Sequence, residues 1–310
     1  MDKTVVIVLV GPTAVGKTET ALSIAQKLNC EIVSADSMQV YRGMDIGTAK
    51  PTCDEQELVK HHLIDVLDPD QKFTVAEYVR LADSCINQVI KRGSLPLVTG
   101  GTGLYINALI DGFLFPDQGA DETVRSELQK QAERDPEALY QELIEVDPIS
   151  ASKLHPNDTR RVVRALEVYR TRKIPISTLQ AKARKKESKY NPIMIGLTRR
   201  RDLLYRRIEQ RVDYMIENGL INEVRVLLKK YPKQPTALQA IGYKEIALYL
   251  NGCISLDESV KLLKRETRRY AKRQLSWFRR DKRIVWYDLG HVEIEQIIKD
   301  TQSKLKETTI

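Results

Sequence analysis

The stretch that decides the fold is Gly11-Pro12-Thr13-Ala14-Val15-Gly16-Lys17-Thr18, a full match to the phosphate-binding pattern G-x-x-x-x-G-K-[ST]. A β-branched apolar run over 4–10 predicts a strand before it, and an amphipathic pattern over 19–28 predicts a helix after it. The glycines let the backbone curl around phosphate oxygens, while the helix start and Lys17 supply positive charge. The stretch therefore predicts a diphosphate or triphosphate site, with the Thr18 hydroxyl suited to Mg²⁺.

Composition narrows the class of protein. The chain has 310 residues, with 50 Lys and Arg against 42 Asp and Glu, so it is basic and long enough for one large or two modest domains. Its four cysteines and four histidines form no zinc-binding pattern, which predicts reduced thiols. The sequence contains no signal-peptide or membrane-spanning pattern, so we expect no membrane association and a cytoplasmic monomer.

Strand and helix patterns alternate after the phosphate loop. Residues 31–36 predict a second strand that ends on Asp36, and 73–91 predict a helix. Residues 95–99 predict a third strand that leads into a glycine-rich turn at 100–103. This alternation predicts an α/β fold of the P-loop type, with a doubly wound parallel sheet.

The pattern changes after the third strand. Residues 121–172 show only helical patterns, which are interrupted by prolines. We interpret 116–188 as a helical insertion domain. Residues 1–115 would then form the first part of the P-loop α/β core, and 189–310 the remainder of that core with basic C-terminal helices.

Asp36 and Thr102 are the polar residues that the predicted sheet brings to the phosphate loop. In doubly wound sheets, ligands bind at the carboxyl ends of the strands, so Asp36 would face whatever lies beyond the phosphates. The alternative is an Asp36 that caps a turn or lies in the outer coordination shell of Mg²⁺. Thr102 could donate to a phosphate or to the substrate, or only stabilise its turn. The residues alone do not decide between these roles.

Arginines recur at helical spacing in three places. Arg207 and Arg211 lie one helical turn apart and could both reach one anion, although the residues alone favour a solvated face. The other two groups are candidates for binding nucleic acid. They are Arg160, Arg161 and Arg164, and a helix over 255–280 with a Ser255–Glu258 capping box and Arg265, Arg268, Arg269, Lys272 and Arg273 on one side. We interpret Trp277 in this helix as a core residue.

Several motifs together carry a family resemblance. They are G-P-T-A-x-G-K-T at 11–18, S-x-D-S-x-Q-V-Y at 34–41, G-M-D-I-G-T-A-K-P at 43–51, G-G-T-G-L-Y at 100–105, H-P-N-D at 155–158, R-A-L-E-V at 164–168 and A-K-R-Q at 271–274. In this order, and over nearly the whole chain, they resemble the bacterial tRNA dimethylallyltransferases, also called tRNA isopentenyltransferases.

The resemblance implies a reaction and its participants. A dimethylallyl group would pass from dimethylallyl diphosphate to N6 of adenosine 37, next to the anticodon, in tRNAs that read codons beginning with U. The loop at 11–18 would hold the prenyl diphosphate and not ATP. The partner would be the anticodon stem-loop of tRNA, and the cofactor Mg²⁺.

The resemblance also implies site roles. Asp36 would be the general base on the adenine amine, and Thr102 would contact the target base or the bridging oxygen of the diphosphate. Lys17, Thr18 with Mg²⁺, and Arg211 with Arg207 would bind the diphosphate. Contacts with tRNA are implied for Asp36, Ser37, Met38, Gln39, Thr102, Arg125, Arg160, Arg161, Arg164, Lys272 and Arg273.

Three other functions fit parts of the sequence. The phosphate loop alone allows an ATP-dependent kinase, although a small substrate would need neither basic region. A related enzyme could prenylate free AMP, ADP or ATP. A non-catalytic RNA-binding protein could carry a relic loop, but the intact Lys17, Thr18 and Asp36 argue against it.

Overall fold

The computed structural model describes residues 3–112, 121–184, 188–232 and 237–309. Within these ranges, six strands form one parallel sheet in the order β3-β2-β4-β1-β5-β6. The strands are β1 (Thr4–Val10), β2 (Cys30–Ser34), β3 (His61–His62), β4 (Leu95–Gly100), β5 (Tyr190–Thr198) and β6 (Val285–Asp288). The predicted α/β fold with a parallel sheet is confirmed.

The sheet centre explains the apolar run that precedes the phosphate loop. Val6–Val10 are fully buried, because β1 pairs with β4 on one side and β5 on the other, and a parallel sheet is covered on both faces. Parallel strands end at the same edge of a sheet. That edge therefore carries the loop at 11–18, Asp36 after β2, the turn at 100–103 after β4, and Arg199 after β5.

The helices are α1 (Lys17–Leu28), α2 (Cys53–Leu58), α3 (Val75–Lys91), α4 (Gly103–Ile110), α5 (Glu122–Arg134), α6 (Pro136–Val146), α7 (Pro148–Ala151), α8 (Thr159–Arg172), α9 (Ile176–Arg184), α10 (Arg201–Glu217), α11 (Leu220–Lys230), α12 (Tyr243–Leu250), α13 (Leu256–Phe278) and α14 (Ile294–Thr309). The capping box predicted for the long basic helix is present, since Ser255 accepts from Glu258 N at 3.2 Å and Glu258 accepts from Ser255 N at 2.8 Å.

The chain divides into two compact units, 1–109 with 190–310, and 110–189. The first unit contains the sheet. The second consists of α5 to α9 around its own apolar core, with fully buried side chains at Leu128, Leu143 and Leu166. The domain boundary that the sequence predicts at 115–116 falls within 113–120, which is outside the described residues.

Four elements, β3, α2, α4 and α14, have no counterpart in the sequence-based prediction. Strand β3 contains two residues, too few to show a period of two. Helix α14 is largely polar, but Ile297 and Ile298 are buried beside the sheet core, and their spacing from Ile294 is typical of an amphipathic helix. Among the described residues, no helix combines the length and apolar character needed to span a membrane.

Candidate functional site

The phosphate loop lies between β1 and α1. Gly16 precedes α1 with a φ of 119°, a conformation that favours glycine, and no side chain caps the helix there. Ala14 also has a positive φ, 62°, so the backbone turns sharply within the loop. The first N–H groups of α1 therefore have no side-chain acceptor in the described part of the chain and can bind an anion.

The Lys17 ammonium bonds only to its own loop among the described residues. Its Nζ donates to the carbonyls of Gly11 at 3.0 Å and Pro12 at 2.8 Å. Burial, with a further contribution from the positive charge of Arg211, lowers the pKa of Lys17 to about 7, while the negative charge of Asp36 opposes this shift. A phosphate oxygen would be a stronger acceptor than either carbonyl and would restore the charge of Lys17.

Three arginines surround the same loop. The Nε of Arg207 donates to Ala14 O at 2.9 Å, and the Nε of Arg199 donates to Val15 O at 2.9 Å. Arg211 is half-buried and forms no hydrogen bond or ion pair with another described residue; burial and the charge of Arg207 lower its pKa. The solvated face that these residues suggested is wrong for Arg211, whereas Arg207 remains exposed.

These arginines and Lys17 lack acidic partners. No described carboxylate lies within 4.0 Å of a charged nitrogen of Lys17, Arg199, Arg207 or Arg211. These neighbouring positive charges repel one another, even with Asp36 near Lys17 and with Glu19 and Asp288 near Arg199, and a bound anion would reduce that repulsion. This arrangement suits a ligand with more than one negative charge, such as a diphosphate.

Asp36 is fixed by one of its two carboxylate oxygens. Oδ1 accepts from Met38 N at 2.8 Å and Gln39 N at 3.4 Å, while no described residue bonds to Oδ2. Burial raises the pKa of Asp36, and the two N–H groups and the charge of Lys17 oppose that shift. The turn-capping role is therefore real, but it leaves one oxygen available to a ligand.

Thr102 connects the ends of β2 and β4. Its N–H donates to Ala35 O at 3.1 Å, and its Oγ1 accepts from Ser37 N at 3.0 Å and donates to Ser37 Oγ at 3.2 Å. These bonds give Thr102 the turn-stabilising role. They also place its hydroxyl next to the segment that begins at Asp36, where a role toward the substrate remains a prediction.

Gln274 joins the phosphate loop to the turn after β4, and the sequence-based interpretation did not assign it to the site. Its Oε1 accepts from Thr13 N at 2.8 Å, and its Nε2 donates to Gly101 O at 3.1 Å. A Cβ on Gly101 would lie 2.2 Å from that Nε2, so only glycine allows this approach. Tyr270, one turn earlier in α13, lies near Asp36: burial and the negative charge of Asp36 raise the pKa of Tyr270, so its phenol stays protonated.

Trp277 differs from its predicted role. Its ring lies against Gly103, where a Cβ would be 2.2 Å from Cδ1, yet 39% of the residue is exposed. The interpretation of Trp277 as a core residue is therefore wrong.

Trp277 lies one turn after Arg273, whose guanidinium is 5.8 Å from the centre of the Tyr270 ring. Lys272 and Arg273 are both exposed on α13.

The long loop after Asp36 is held by Glu223 of α11. One carboxylate oxygen accepts from Asp45 N at 3.1 Å and Ile46 N at 2.8 Å; the other accepts from Gly47 N at 3.1 Å and Tyr243 Oη at 2.6 Å. The loop reaches the site through Gln39, whose Nε2 donates to Ala49 O at 3.3 Å. Glu223 thus orders a loop that supplies site residues.

We expect Glu223→Gln to destabilise the protein by roughly 2 kcal/mol, because an amide nitrogen would face donors that now share a carboxylate. The measurement is urea unfolding, with Glu217→Gln as the control, since Glu217 is exposed and forms no described ion pair. A change below about 0.5 kcal/mol, the usual size of a surface effect, would contradict the role of Glu223.

The residues near Thr18 fit a magnesium ion that would be coordinated mainly by phosphate oxygens of the bound substrate and by water. The Thr18 hydroxyl is half-buried and has no hydrogen-bond partner among the described residues. Those residues also contain no group of three or more His, Cys, Asp or Glu side chains that could form a metal site by themselves. Mg²⁺ commonly takes few protein ligands and completes its shell with phosphate oxygens and water. Thr18 could supply such a ligand.

In the second unit, Glu167 organises two of the predicted RNA-binding arginines. Its Oε2 accepts from Arg125 Nη2 at 2.9 Å and Arg164 Nη1 at 3.1 Å, and the Glu167 side chain is fully buried. Arg161 pairs with Asp158 at 3.1 Å, and Arg160 is exposed. Arg125 and Arg164 therefore share one buried carboxylate oxygen.

We expect Glu167→Gln to lower the free energy of local opening of α5 and α8 by about 1–3 kcal/mol, since two guanidinium groups lose their shared charged acceptor. Hydrogen exchange of the backbone amides in these helices measures the effect. Glu145→Gln, at an exposed position of α6, is the control. Unchanged exchange in α5 and α8 would mean that Glu167 does not hold the two arginines.

The sheet and the loop at 11–18 define the class, a P-loop α/β protein. The family model for IPP transferase matches residues 39–281. The tRNA dimethylallyltransferase of Symbiobacterium thermophilum is 51% identical over 284 residues, covering 91% of this chain and 89% of that protein. The enzyme of the same name from Carboxydothermus hydrogenoformans is 50% identical over 292 residues, covering 94% of each chain.

Solved structures agree with these matches. The full-length tRNA isopentenylpyrophosphate transferase of Bacillus halodurans has a TM-score of 0.75 and 46% identity, with 99% of this chain and 98% of that one covered. A eukaryotic dimethylallyltransferase described as acting on tRNA has a TM-score of 0.79 and 31% identity, with 92% and 74% covered. The chain belongs to the IPP transferase family, and the resemblance carried by its motifs is confirmed.

Proposed function

We propose that this protein transfers the dimethylallyl group of dimethylallyl diphosphate to N6 of adenosine 37 in tRNAs that read codons beginning with U. The names of its relatives support the reaction class. The observation that carries the proposal is that groups able to bind a diphosphate and a carboxylate able to accept a proton lie at the same loop. Four cations that form no ion pair within 4.0 Å with a described carboxylate surround residues 11–18, and Asp36 lies close enough to Lys17 to affect its pKa.

The cations would act on the leaving group. As the bond between C1 of the dimethylallyl group and the bridging oxygen breaks, its electrons pass to the diphosphate. Lys17, Arg207 and Arg211, which lie around the loop, would stabilise that charge together with the first N–H groups of α1. Thr18 would help to hold Mg²⁺, which would supply further positive charge to the leaving diphosphate.

Asp36 would act on the acceptor. The exocyclic amine of adenine is a weak nucleophile, because its lone pair is delocalised into the ring. As N6 forms its bond to C1, one N6 proton would pass to Oδ2 of Asp36, the oxygen that has no described partner. The two N–H groups on Oδ1 would keep the carboxylate oriented. The raised pKa of Asp36 makes it a stronger base than an exposed aspartate.

The target base must leave the stacked anticodon loop to reach this half-buried carboxylate, so the enzyme needs to bind the surrounding RNA. We assign this role to Ser37, Met38, Gln39, Thr102, Lys272 and Arg273 in the first unit, and to Arg125, Arg160, Arg161 and Arg164 in the second. The second unit is then an RNA-binding domain. Light scattering of the purified protein tests the further expectation that it acts as a monomer.

The test is transfer of label from dimethylallyl diphosphate to an unmodified tRNA transcript whose anticodon ends in A. AMP, ADP and ATP serve as alternative acceptors. We expect label in the RNA and none in the free nucleotides. Label in the nucleotides alone would assign the protein to the free-nucleotide prenyltransferases, and transfer of γ-phosphate from ATP would make it a kinase.

A further inference from the structure

Gln274 of α13 connects the two halves of the candidate site through a buried side chain. The residue is 5% exposed, and two neighbours on the same helix, Ala271 and Phe278, are buried as well. These contacts fix the helix backbone on both sides of Gln274, so the packing of α13 sets the position of the side-chain amide. A side chain supported in this way can hold two separate backbone turns at a fixed distance.

The bond from Gln274 to the phosphate loop falls on the peptide group that also holds Lys17. Pro12 C=O and Thr13 N–H belong to one planar peptide unit. Its carbonyl accepts from Lys17 Nζ at 2.8 Å, and its N–H donates to Gln274 Oε1 at 2.8 Å. Lys17 and Gln274 thus bind the two sides of one rigid group, and a rotation of that group would break both bonds.

The bond from Gln274 to the turn after β4 leads to the segment that contains Asp36. Gln274 Nε2 donates to Gly101 O at 3.1 Å. The next residue, Thr102, bonds to the residues on either side of Asp36, at 3.1 Å through its N–H and at 3.0 Å through its Oγ1. A continuous series of hydrogen bonds therefore runs from the Lys17 ammonium to the backbone around Asp36.

Glutamine has the donor and the acceptor that these two ends require. Thr13 offers a donor and Gly101 offers an acceptor, so the side chain must accept at one end and donate at the other. The contacts also fix the orientation of the amide, because an exchange of Oε1 and Nε2 would place like groups against each other at both ends. An ionised glutamate has no donor for Gly101 O, and asparagine is one methylene shorter.

We propose that Gln274 is a positioning residue, which fixes the distance between the phosphate loop and the Asp36 segment. Loss of its bonds to Thr13 and Gly101, here called the Gln274 link, would misalign donor and acceptor without removing either binding site. Catalysis is sensitive to such a change, since a displacement of about 1 Å can lower a rate by about 10²-fold. The effect on transfer rests on the proposed function, whereas the link between loop and turn does not.

Two substitutions break the Gln274 link from opposite ends. Gln274→Met keeps the length of the side chain and removes both polar groups. Gly101→Ala keeps Gln274 but adds a Cβ 2.2 Å from its Nε2, so the flexible end of that side chain must move away. The φ of Gly101 is not positive, so alanine fits the backbone there, and this variant serves if Gln274→Met does not fold. Gln88→Met, at an exposed position of α3, is the matched control.

The first arm of the experiment needs no prenyl transfer. Inorganic diphosphate is added to each protein, and hydrogen exchange of the Thr102 amide is followed by NMR. In wild type we expect diphosphate to slow this exchange about fivefold or more, because an ordered loop holds Gln274 and thereby the turn. Gln274→Met and Gly101→Ala should lose this response, and Gln88→Met should keep it. The amides of α12 report any change in global stability.

The second arm is single-turnover transfer at saturating dimethylallyl diphosphate and tRNA. Gln274→Met and Gly101→Ala should each lower the rate by about 10²-fold and leave the Kd of both substrates nearly unchanged, whereas a general structural defect would weaken binding as well. The double variant should be no slower than the slower single variant, because both changes break the same link.

Three results would overturn the proposal. They are a Thr102 amide that does not respond to diphosphate in wild type, a response that persists in both single variants, and near-wild-type transfer by both single variants. Absence of prenyl transfer by wild-type protein would overturn only the proposed function, and the exchange arm would still decide whether Gln274 links the loop to the turn.

Discussion

Asp36→Asn is expected to lower kcat by roughly 10²–10⁴-fold, the usual contribution of a positioned general base, and to leave the Kd for tRNA within a few-fold of wild type. Asparagine has nearly the same shape, and its Oδ1 can still accept from Met38 N and Gln39 N. It cannot take the N6 proton. The measurement is single-turnover prenyl transfer together with a tRNA-binding titration.

The control for this variant is Asp54→Asn, at an exposed position of α2, which should leave both quantities unchanged. The rate of wild type should fall at low pH as Asp36 becomes protonated, and its raised pKa places that loss above the range of an ordinary aspartate. A variant turning over at nearly the wild-type rate would show that Asp36 only caps its turn.

Lys17→Gln is expected to weaken binding of dimethylallyl diphosphate by about 10- to 100-fold, because charge-assisted hydrogen bonds contribute about 1.5–3 kcal/mol. The same residue predicts a pH dependence. The pKa of Lys17 is about 7 in the free protein, and a bound diphosphate would raise it. The bound state then holds more protons than the free state, so affinity falls as pH rises above about 7.

Calorimetry in buffers of different ionisation enthalpy measures this effect directly. At pH above 7, wild type should take up close to one more proton on binding than Lys17→Gln does, and the difference cancels any proton taken up by the ligand. Lys27→Gln, an exposed position of the same helix, should behave as wild type. Equal proton uptake by wild type and Lys17→Gln would mean that Lys17 does not charge on binding.

The sequence predicts those site residues that lie together in a short motif, and it misses those that meet across a long stretch of chain. The loop at 11–18 and Asp36 stand out because each is a short pattern placed at a strand end, and parallel strand ends share one edge. Gln274 ends the A-K-R-Q motif at 271–274, but it contacts Thr13 across 261 residues of chain, and the motif does not indicate that contact. Glu223 likewise lies 176 residues from Gly47.

The sequence-based interpretation also missed Arg199 and assigned Trp277 to the core, for two different reasons. Arg199 directly follows β5, and a charged residue at the end of a predicted apolar strand is the signal that could have identified it. Trp277 follows the apolar side of a helical pattern, but helical spacing cannot distinguish a core residue from one that lies on Gly103 with an exposed edge. The sequence predicts the sheet and its loop well, and contacts between distant helices poorly.

The most direct test of the account is to locate the dimethylallyl group after wild-type protein has been incubated with dimethylallyl diphosphate and unmodified tRNA. Nuclease digestion followed by mass spectrometry identifies the modified nucleoside and its position. A loop that holds a prenyl diphosphate beside Asp36 predicts the group on N6 of adenosine 37 and nowhere else. Unmodified RNA, with ATP consumed and its γ-phosphate transferred instead, would contradict it.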